Sequence, residues 1–386
     1  MGPMLGVPNA STTGGSRSPL ARAATPGLLV ALLVGALLLV ACSTAPGNEL
    51  ACAECAPLPN GYRLEEYASG LIRPIAMAWL PDGRMLVTEQ TGAIRVVENG
   101  VLRSKPWASI PNVRAVREGG LIGIAVDPDF NHNHFVYVFY SELAASLGDP
   151  DREVLLRLED QGGFGVNGKR LVDDIPSSPT GSQVGGMLRF GPDGNLYLGT
   201  GDAAQDTVAE DLSDPLGKIL RLTRDGTAAP DNPFVLAPGA DPRVYALGLQ
   251  NPRDFAFAGA DRLYAVDVGD GPQGNDEIYL IHPGMNYGNP SQPATAVAPI
   301  YVYQDSAEPF GVEFYAASQL AAFQGNLFVC STTQGNLRRL LLSGDGRSVV
   351  ADENISRLCS GGVATGPDGF LYFVDSVHGR ILRIRN

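Results

Sequence analysis

In residues 179–202, PTGSQVGGMLRFGPDGNLYLGTGD, a glycine-tight loop leads into a strand, a Pro-Asp-Gly turn and a second strand. Gly185 and Gly186 let the backbone come close to whatever lies opposite, and such loops are where binding groups collect. The side chains offered are Ser182, Gln183 and Met187, with no base and no charge among them. A carboxamide donates and accepts hydrogen bonds but takes no proton at neutral pH, so this loop offers hydrogen bonding without acid–base chemistry. Asp202 follows Gly199-Thr200-Gly201 and either lines the same mouth or holds a turn through nearby amides. Asp276 and Glu277 read by themselves as solvated turn carboxylates. The chain has 4 histidines. His132 and His134 fall in a turn, His282 at a strand end and His378 in the last hairpin, and all four read as incidental.

One pattern surrounds these residues. A turn containing Gly or Asp precedes alternating apolar residues in PDGRMLVTEQTGAIRVV, DPDFNHNHFVYVFYS, GPDGNLYLGTGD, GADRLYAVDVG, QGNLFVCSTTQGNLRRLLL and GPDGFLYFVDSVHGRILRI. A period of two with Asp-Gly and Gly-Asn turns predicts antiparallel strands and hairpins. Units recurring at roughly 45 to 65 residues predict an all-β fold, a six-bladed β-propeller with antiparallel four-stranded blades, over residues 60–386. A β-sandwich is the alternative, but it would not come as six such units. The one helical expectation downstream is a short segment near Ala316 to Ala322.

With 47 Gly, 29 Pro, 18% charged and 44% hydrophobic residues, the chain is turn-rich yet apolar enough to fold around a core. Net charge is −13, and removal of Arg17 and Arg22 with the first 41 residues takes it to about −15. No stretch concentrates Lys and Arg, which argues against a nucleic-acid partner. Arg17 and Arg22 precede an uncharged run from Leu28 to Val40 that ends Leu39-Val40-Ala41-Cys42. Residues 1–41 thus read as a lipoprotein-type signal peptide, with Cys42 the acylated first residue and 42–59 a tether; an uncleaved anchor is the alternative. The expected location is extracytoplasmic and membrane-anchored through the lipid, as a monomer or dimer. Cys52, Cys55, Cys330 and Cys359 allow three connectivities. The expected pairing is Cys52–Cys55 with Cys330–Cys359, and the CAEC pair could instead be redox-active.

From Gly70 onward the sequence resembles the pyrroloquinoline-quinone-dependent sugar dehydrogenases of the glucose/sorbosone dehydrogenase family. The resemblance rests on GLIRPIAMAWLPDGRMLVTEQTGAIRVV, REGGLIGIAVDPDFNHNHFVYVFYS, GGMLRFGPDGNLYLGTGD, ALGLQNPRDFAFAGADRLYAVDVG, GNDEIYLIHPGMNYGNP and the closing GPDGFLYFVDSVHGRILRI. It implies a six-bladed propeller with the quinone over its mouth, where a His before the Gly-Gly strand removes the proton of the sugar's anomeric hydroxyl. Gln183 falls at that His position and Met187 at the family's Arg position, with Arg189 two residues on as a partial substitute. The substrate pocket would be lined by Glu118, Ser182, Gln250 and Asn251. Family cations for the quinone's carboxylates fall at Thr333, at Cys359 to Gly362 (Gly361 among them) and at Gln250, and Arg357 could substitute. Calcium is implied by the Gly271 and Pro272 carbonyls, with Asp276, Glu277 and Tyr287 around structural calcium.

Three functions are compatible with these residues. One is a quinone- and calcium-dependent aldose dehydrogenase with a divergent cofactor site. Another is a non-catalytic cell-surface propeller that binds a carbohydrate or a protein. The third is a calcium-assisted hydrolase in the same pocket. Loss of a general base costs about 10²- to 10⁴-fold in rate, and loss of three charge-assisted hydrogen bonds costs about 5 kcal/mol in quinone affinity. The replacements therefore weigh against the ancestral oxidation.

Overall fold

The computed structural model describes residues 58–386 except 147–148, 206, 270–275, 290, 292 and 306. The expected signal peptide, Cys42, most of the tether, the Cys52–Cys55 pair, Gly271 and Pro272 lie outside the described residues. Among the described residues no helix is long and apolar enough to cross a membrane.

The fold starts from its turns. In Leu80–Arg84, Gly191–Asn195 and Gly366–Phe370, a Pro-Asp-Gly turn closes with a glycine N–H donating to the first carbonyl, at 3.0, 2.9 and 2.9 Å. Gly83, Gly194 and Gly369 take φ of 90°, 76° and 77°, a region open to glycine at no steric cost. The turn aspartates, Asp82, Asp193 and Asp368, each accept the N–H two residues on, at 3.0, 3.1 and 3.2 Å. One local solution is thus used in three places, and strands of the expected alternation follow each.

These strands assemble into six antiparallel sheets, blades 1 to 6. Their inner strands are Pro74–Trp79, Leu121–Val126, Gly185–Phe190, Pro252–Phe257, Pro309–Tyr315 and Val363–Thr365. Each inner strand packs on the next, and the sixth packs on the first, closing a ring around a central channel. Five sheets have four strands, and blade 1 has a fifth, Ala108–Ser109, paired with Ala93–Glu98. Blade 6 takes its outer strand, Arg63–Ser69, from the start of the domain, in register with Arg380–Arg385. Glu65 accepts from Arg383 and from Arg385 Nε at 2.7 Å across that seam.

Alternation explains how a blade buries both faces. Leu86 and Val96 face blade 2, whereas Val87 and Val97 between them face blade 6. Val138 likewise faces blade 1, and its neighbours Tyr137 and Phe139 face blade 3. Six apolar clusters result, one per interface between blades. A strand buried on both sides has no solvated face, which is why Leu371–Asp375 is buried throughout.

Helix is nearly absent from the described residues, and the helical expectation is corrected. The segment near Ala316 to Ala322 is irregular except for a three-residue 3₁₀ turn, Ala321–Phe323. A one-turn α-helix, Phe130–Asn133, occupies part of the stretch expected to be only a turn, and His134 at φ 57° ends it. One helical turn is too short to carry a 3.6-residue period.

The channel is spanned by one charge network, in which Asp254 is fully buried and Arg189 and Glu313 are half-buried. Arg189 on blade 3 donates Nε and Nη2 to the Asp254 carboxylate of blade 4, at 3.0 and 2.8 Å. It also donates Nη2 to the Val312 carbonyl at 2.8 Å and Nη1 to Glu313 at 3.1 Å, both on blade 5. Glu313 accepts Thr365 N–H of blade 6 at 3.0 Å. Asp254 is fully buried, and removing one partner of a buried pair leaves an uncompensated charge. Arg189→Met is therefore expected to lower stability by about 3–5 kcal/mol in urea denaturation. Addition of Asp254→Asn should recover part of that loss, and an additive double mutant would show that the pair does not couple.

Candidate functional site

The inner strands begin at one end of the channel, where Gly362 N–H donates to the Ile75 carbonyl at 2.8 Å and joins the starts of blades 6 and 1. The loops leading into these strands form the mouth. Gln183 lies on the loop before blade 3, in the left-handed region at φ 55°. That conformation costs a non-glycine residue about 1–2 kcal/mol. Its N–H donates to Glu118 Oε2 at 3.0 Å, and its carbonyl accepts Ala203 N–H at 3.0 Å. A Cβ on Gly201 would stand 2.0 Å from that carbonyl, and one on Gly186 would stand 2.4 Å from Ile122 Cγ2. Gly201 is there for backbone-to-backbone approach, and Gly186 makes room for the Ile122 side chain.

Glu118 organises the mouth. Besides Gln183 N–H, its carboxylate accepts Asn251 Nδ2 at 2.9 Å and pairs with Arg253 Nη2 at 2.8 Å. Burial opposes its ionisation, but Arg253, Asn251 and the Gln183 amide outweigh burial and hold its pKa below the usual carboxylate range. A carboxylate so held is a poor proton acceptor. Asn251 Oδ1 accepts Gly185 N–H at 2.9 Å, so Glu118 and Asn251 together bind both ends of the Gln183–Gly185 segment. Asp267 accepts the N–H groups of Gln250 and Asn251 at 3.0 and 2.6 Å. Burial pushes its pKa up to about 7 against those two bonds, helped by Glu277 and Asp202. Of the two roles left open above, the structure shows Asp202 holding a turn: it is buried, accepting Ala204 N–H at 2.9 Å and Asn289 Nδ2 at 3.2 Å.

Against this saturated background one side chain stands out. Gln183 is buried, yet neither Nε2 nor Oε1 of its carboxamide has a partner. Gln90, on the blade 1 turn, donates Nε2 to the Arg117 and Gly119 carbonyls at 2.8 Å each but leaves Oε1 unpartnered. An unmade buried hydrogen bond costs about 1–3 kcal/mol, so these atoms gain from any hydrogen-bonding partner that reaches them. They supply one amide NH2 group with two donors, and two amide acceptors, the inventory for neutral hydroxyl groups.

The remaining expected site residues divide. Ser182 is half-buried, with its N–H at 3.4 Å from Thr180 Oγ1. Met187 is buried and reaches across the channel to within 3.8 Å of where a Gly362 side chain would begin. Arg189 does not replace the cation expected at Met187. A register shift follows Gly185, and Asp254 and Glu313 occupy its guanidinium. Thr333 is exposed. Cys359 is fully buried in a disulfide with Cys330, Cα–Cα 5.3 Å. Gly361 is hemmed in by Val374 and the Ile75 carbonyl. Tyr287 is a core residue whose hydroxyl accepts His282 N–H at 2.7 Å and donates to the Leu280 carbonyl at 3.1 Å.

These residues do not fit a trianionic quinone. Among the described residues, the charges placed at the mouth are the buried Asp202 and Asp267 and the half-buried Glu118 neutralised by Arg253, and Cys359 is in covalent use. For calcium, Asp276 accepts Ala307 and Glu308 N–H at 2.8 and 2.7 Å, and Glu277 accepts Tyr279 Oη–H at 2.5 Å. Among the described residues no three acidic, His or Cys side chains converge on a metal position, and the rest of that turn lies outside them.

Sequence reasoning missed Gln90, Arg253, Asp267 and Glu153. Glu153, buried in blade 2, accepts the Ser177 hydroxyl at 2.6 Å and the Ser141 hydroxyl at 3.0 Å. Arg114 donates to the Ser178 and Pro179 carbonyls at 3.1 and 2.7 Å. Together they moor the base of the Gln183 loop. Burial pushes Glu153 up to about 7, against the Ser177 and Ser141 bonds and the nearby charge of Arg114, with Asp151 adding to the rise. An acid whose pKa is raised on folding stabilises least when ionised, so its penalty grows as pH rises from its unfolded value through about 7. Glu153→Gln should thus gain on the parent by roughly 2–3 kcal/mol between pH 5 and pH 8.5, read from denaturant midpoints. A pH-independent difference would place the Glu153 pKa in the ordinary range.

Comparison with known proteins agrees with this architecture. Residues 71–383 match the family described as Glucose / Sorbosone dehydrogenase. An aldose sugar dehydrogenase of Escherichia coli is 29% identical over 365 residues, covering 84% of this chain and 93% of its own. A Thermus thermophilus oxidoreductase structure, described as a glucose dehydrogenase, superposes with TM-score 0.77 at 35% identity, over 84% of this chain and all of that one. The PQQ-bound aldose sugar dehydrogenase of Streptomyces coelicolor superposes with TM-score 0.69 at 28% identity, over 85% of this chain and 99% of its own. The chain belongs to the glucose/sorbosone dehydrogenase family.

Proposed function

We propose that this propeller binds a neutral sugar at its mouth and does not oxidise it by quinone-dependent hydride transfer. The observation that carries the reading is the Gln183 carboxamide, buried with both polar atoms unpartnered at the position where the resemblance expects a catalytic His. An amide there binds a hydroxyl group and leaves its proton in place. Glu118 cannot substitute as the base, because three donors already stabilise its ionised form. The sugar ligand follows from the names of the relatives and from the amide inventory of the mouth. The lipid anchor at Cys42 and an extracytoplasmic location belong to the same proposal and would make the protein a surface-held sugar receptor. So does calcium held beside Asp276 and Glu277, in a structural role.

Titration calorimetry with a panel of aldoses is expected to give saturable binding for at least one of them. Gln183→Ala should weaken that binding about tenfold, the equivalent of one buried hydrogen bond at about 1.4 kcal/mol. Dye reduction with added pyrroloquinoline quinone and calcium should stay at background, and should remain there in the Gln183→His, Met187→Arg double variant. Quinone-dependent turnover by the parent chain would replace this reading with the dehydrogenase, and absence of aldose binding would remove the sugar.

A further inference from the structure

We infer that the channel holds a second ligand site, at the end opposite the mouth, built for a small organic ammonium ion with an apolar body. A cavity of about 410 Å³ lies there, within the range of about 300–1,000 Å³ usual for small-molecule sites. Its lining includes Trp79, Phe190, Phe257 and Thr365, the last residues of the inner strands of blades 1, 3, 4 and 6. Met187 stands between this cavity and the mouth.

Three polar side chains serve the cavity, and their balance selects the ligand. Arg189 has four of its five N–H groups committed to Asp254, Val312 and Glu313, which leaves one Nη1–H. Glu313 accepts one bond at each oxygen, from Arg189 and from Thr365 N–H, and a carboxylate oxygen takes two. Thr365 Oγ1 is buried without a partner. The cavity therefore offers one spare donor against up to two carboxylate acceptors and a hydroxyl. Of the charged groups, Arg189 and Glu313 line the cavity, and the buried Asp254 behind them brings the cluster to a net charge of −1.

An ammonium group supplies three donors and one positive charge, satisfying both the acceptor surplus and the residual charge. The rings of Trp79, Phe190 and Phe257 favour a cation over their faces by about 0.5–2 kcal/mol and accommodate an apolar body. A carboxylate ligand would meet Glu313, and a neutral alcohol would leave the charge unbalanced. The site rests on neither Gln183 nor Gln90, which carry the proposed sugar reading, although Met187 from the strand after the Gln183 loop lines it.

Trp79 reports on the cavity directly, because the chain has 2 tryptophans and the other, Trp107, is fully buried with its indole N–H on Asp160 at 2.6 Å. Titration of the protein with 2-phenylethylammonium chloride should quench tryptophan emission saturably, at least about tenfold more tightly than with neutral 2-phenylethanol. Trp79→Phe should abolish the fluorescence change while calorimetry still detects binding. Thr365→Val keeps the shape and disturbs no existing side-chain bond, and it should weaken the ammonium several-fold. Glu313→Gln should erase the preference over the alcohol. Gln183→Ala, at the other end, should leave ammonium affinity unchanged. Equal affinity for the alcohol, an unaffected Thr365→Val variant or a loss in Gln183→Ala would each overturn the assignment.

Discussion

The ring depends on one guanidinium. Arg189 reaches from blade 3 to a carboxylate on blade 4 and to a carbonyl and a carboxylate on blade 5, and that last carboxylate takes an amide of blade 6. Apolar contacts between blades are strong but non-directional, so by themselves they leave neighbouring strands free to slide. Charge-assisted bonds in a low-dielectric channel are directional and costly to break. Burial lowers the pKa of Arg189, but Asp254 and Glu313 more than offset this and keep it charged. The register of four inner strands is thereby coupled, and the loops of the mouth inherit their spacing from those strands.

The same network explains the chemistry of the mouth by subtraction. Arg189 lies in the right stretch of chain to serve a ligand there, yet its bonds point into the channel. Arg253 lies closer to the mouth but is neutralised by Glu118. Lys218, also fully buried, donates to the Val208 and Leu216 carbonyls at 2.8 and 2.7 Å, and burial lowers its pKa to about 8. Each of these three cations has a structural partner. Among the described residues, the buried amide atoms of Gln183 and Gln90 are left without a partner, and amides suit hydroxyl groups far better than carboxylates.

The fold was legible in the sequence because its instructions are local. A Pro-Asp-Gly turn closes within five residues, and alternation needs only a strand's length to reveal itself, so the six units and the Gln183 loop could be placed by reading alone. The charge partners could not. Asp254 is 65 residues from Arg189, and Glu313 is 124 away; Asn251 is 133 residues from Glu118. No spacing rule spans such separations. Reading Arg189 as a spare cation beside Met187 followed the strand's period correctly, and it failed because occupancy of a side chain is a property of the ring.

A difference between the two ends of the channel follows from the same geometry. Inner strands start at the mouth, where loops rich in glycine bring backbones together and peptide groups satisfy one another, leaving side-chain amides as the open functions. They finish at the far end on Trp79, Phe190 and Phe257, where large side chains hold the strands apart and leave a cavity. Met187 lies between them. A cation at that position would have to be neutralised by the mouth or by the Glu313 cluster, and would couple the two ends electrostatically. A thioether has no such requirement. A thioether at the centre of the ring therefore leaves the charge balance of the Glu313 cluster and that of the mouth independent of each other.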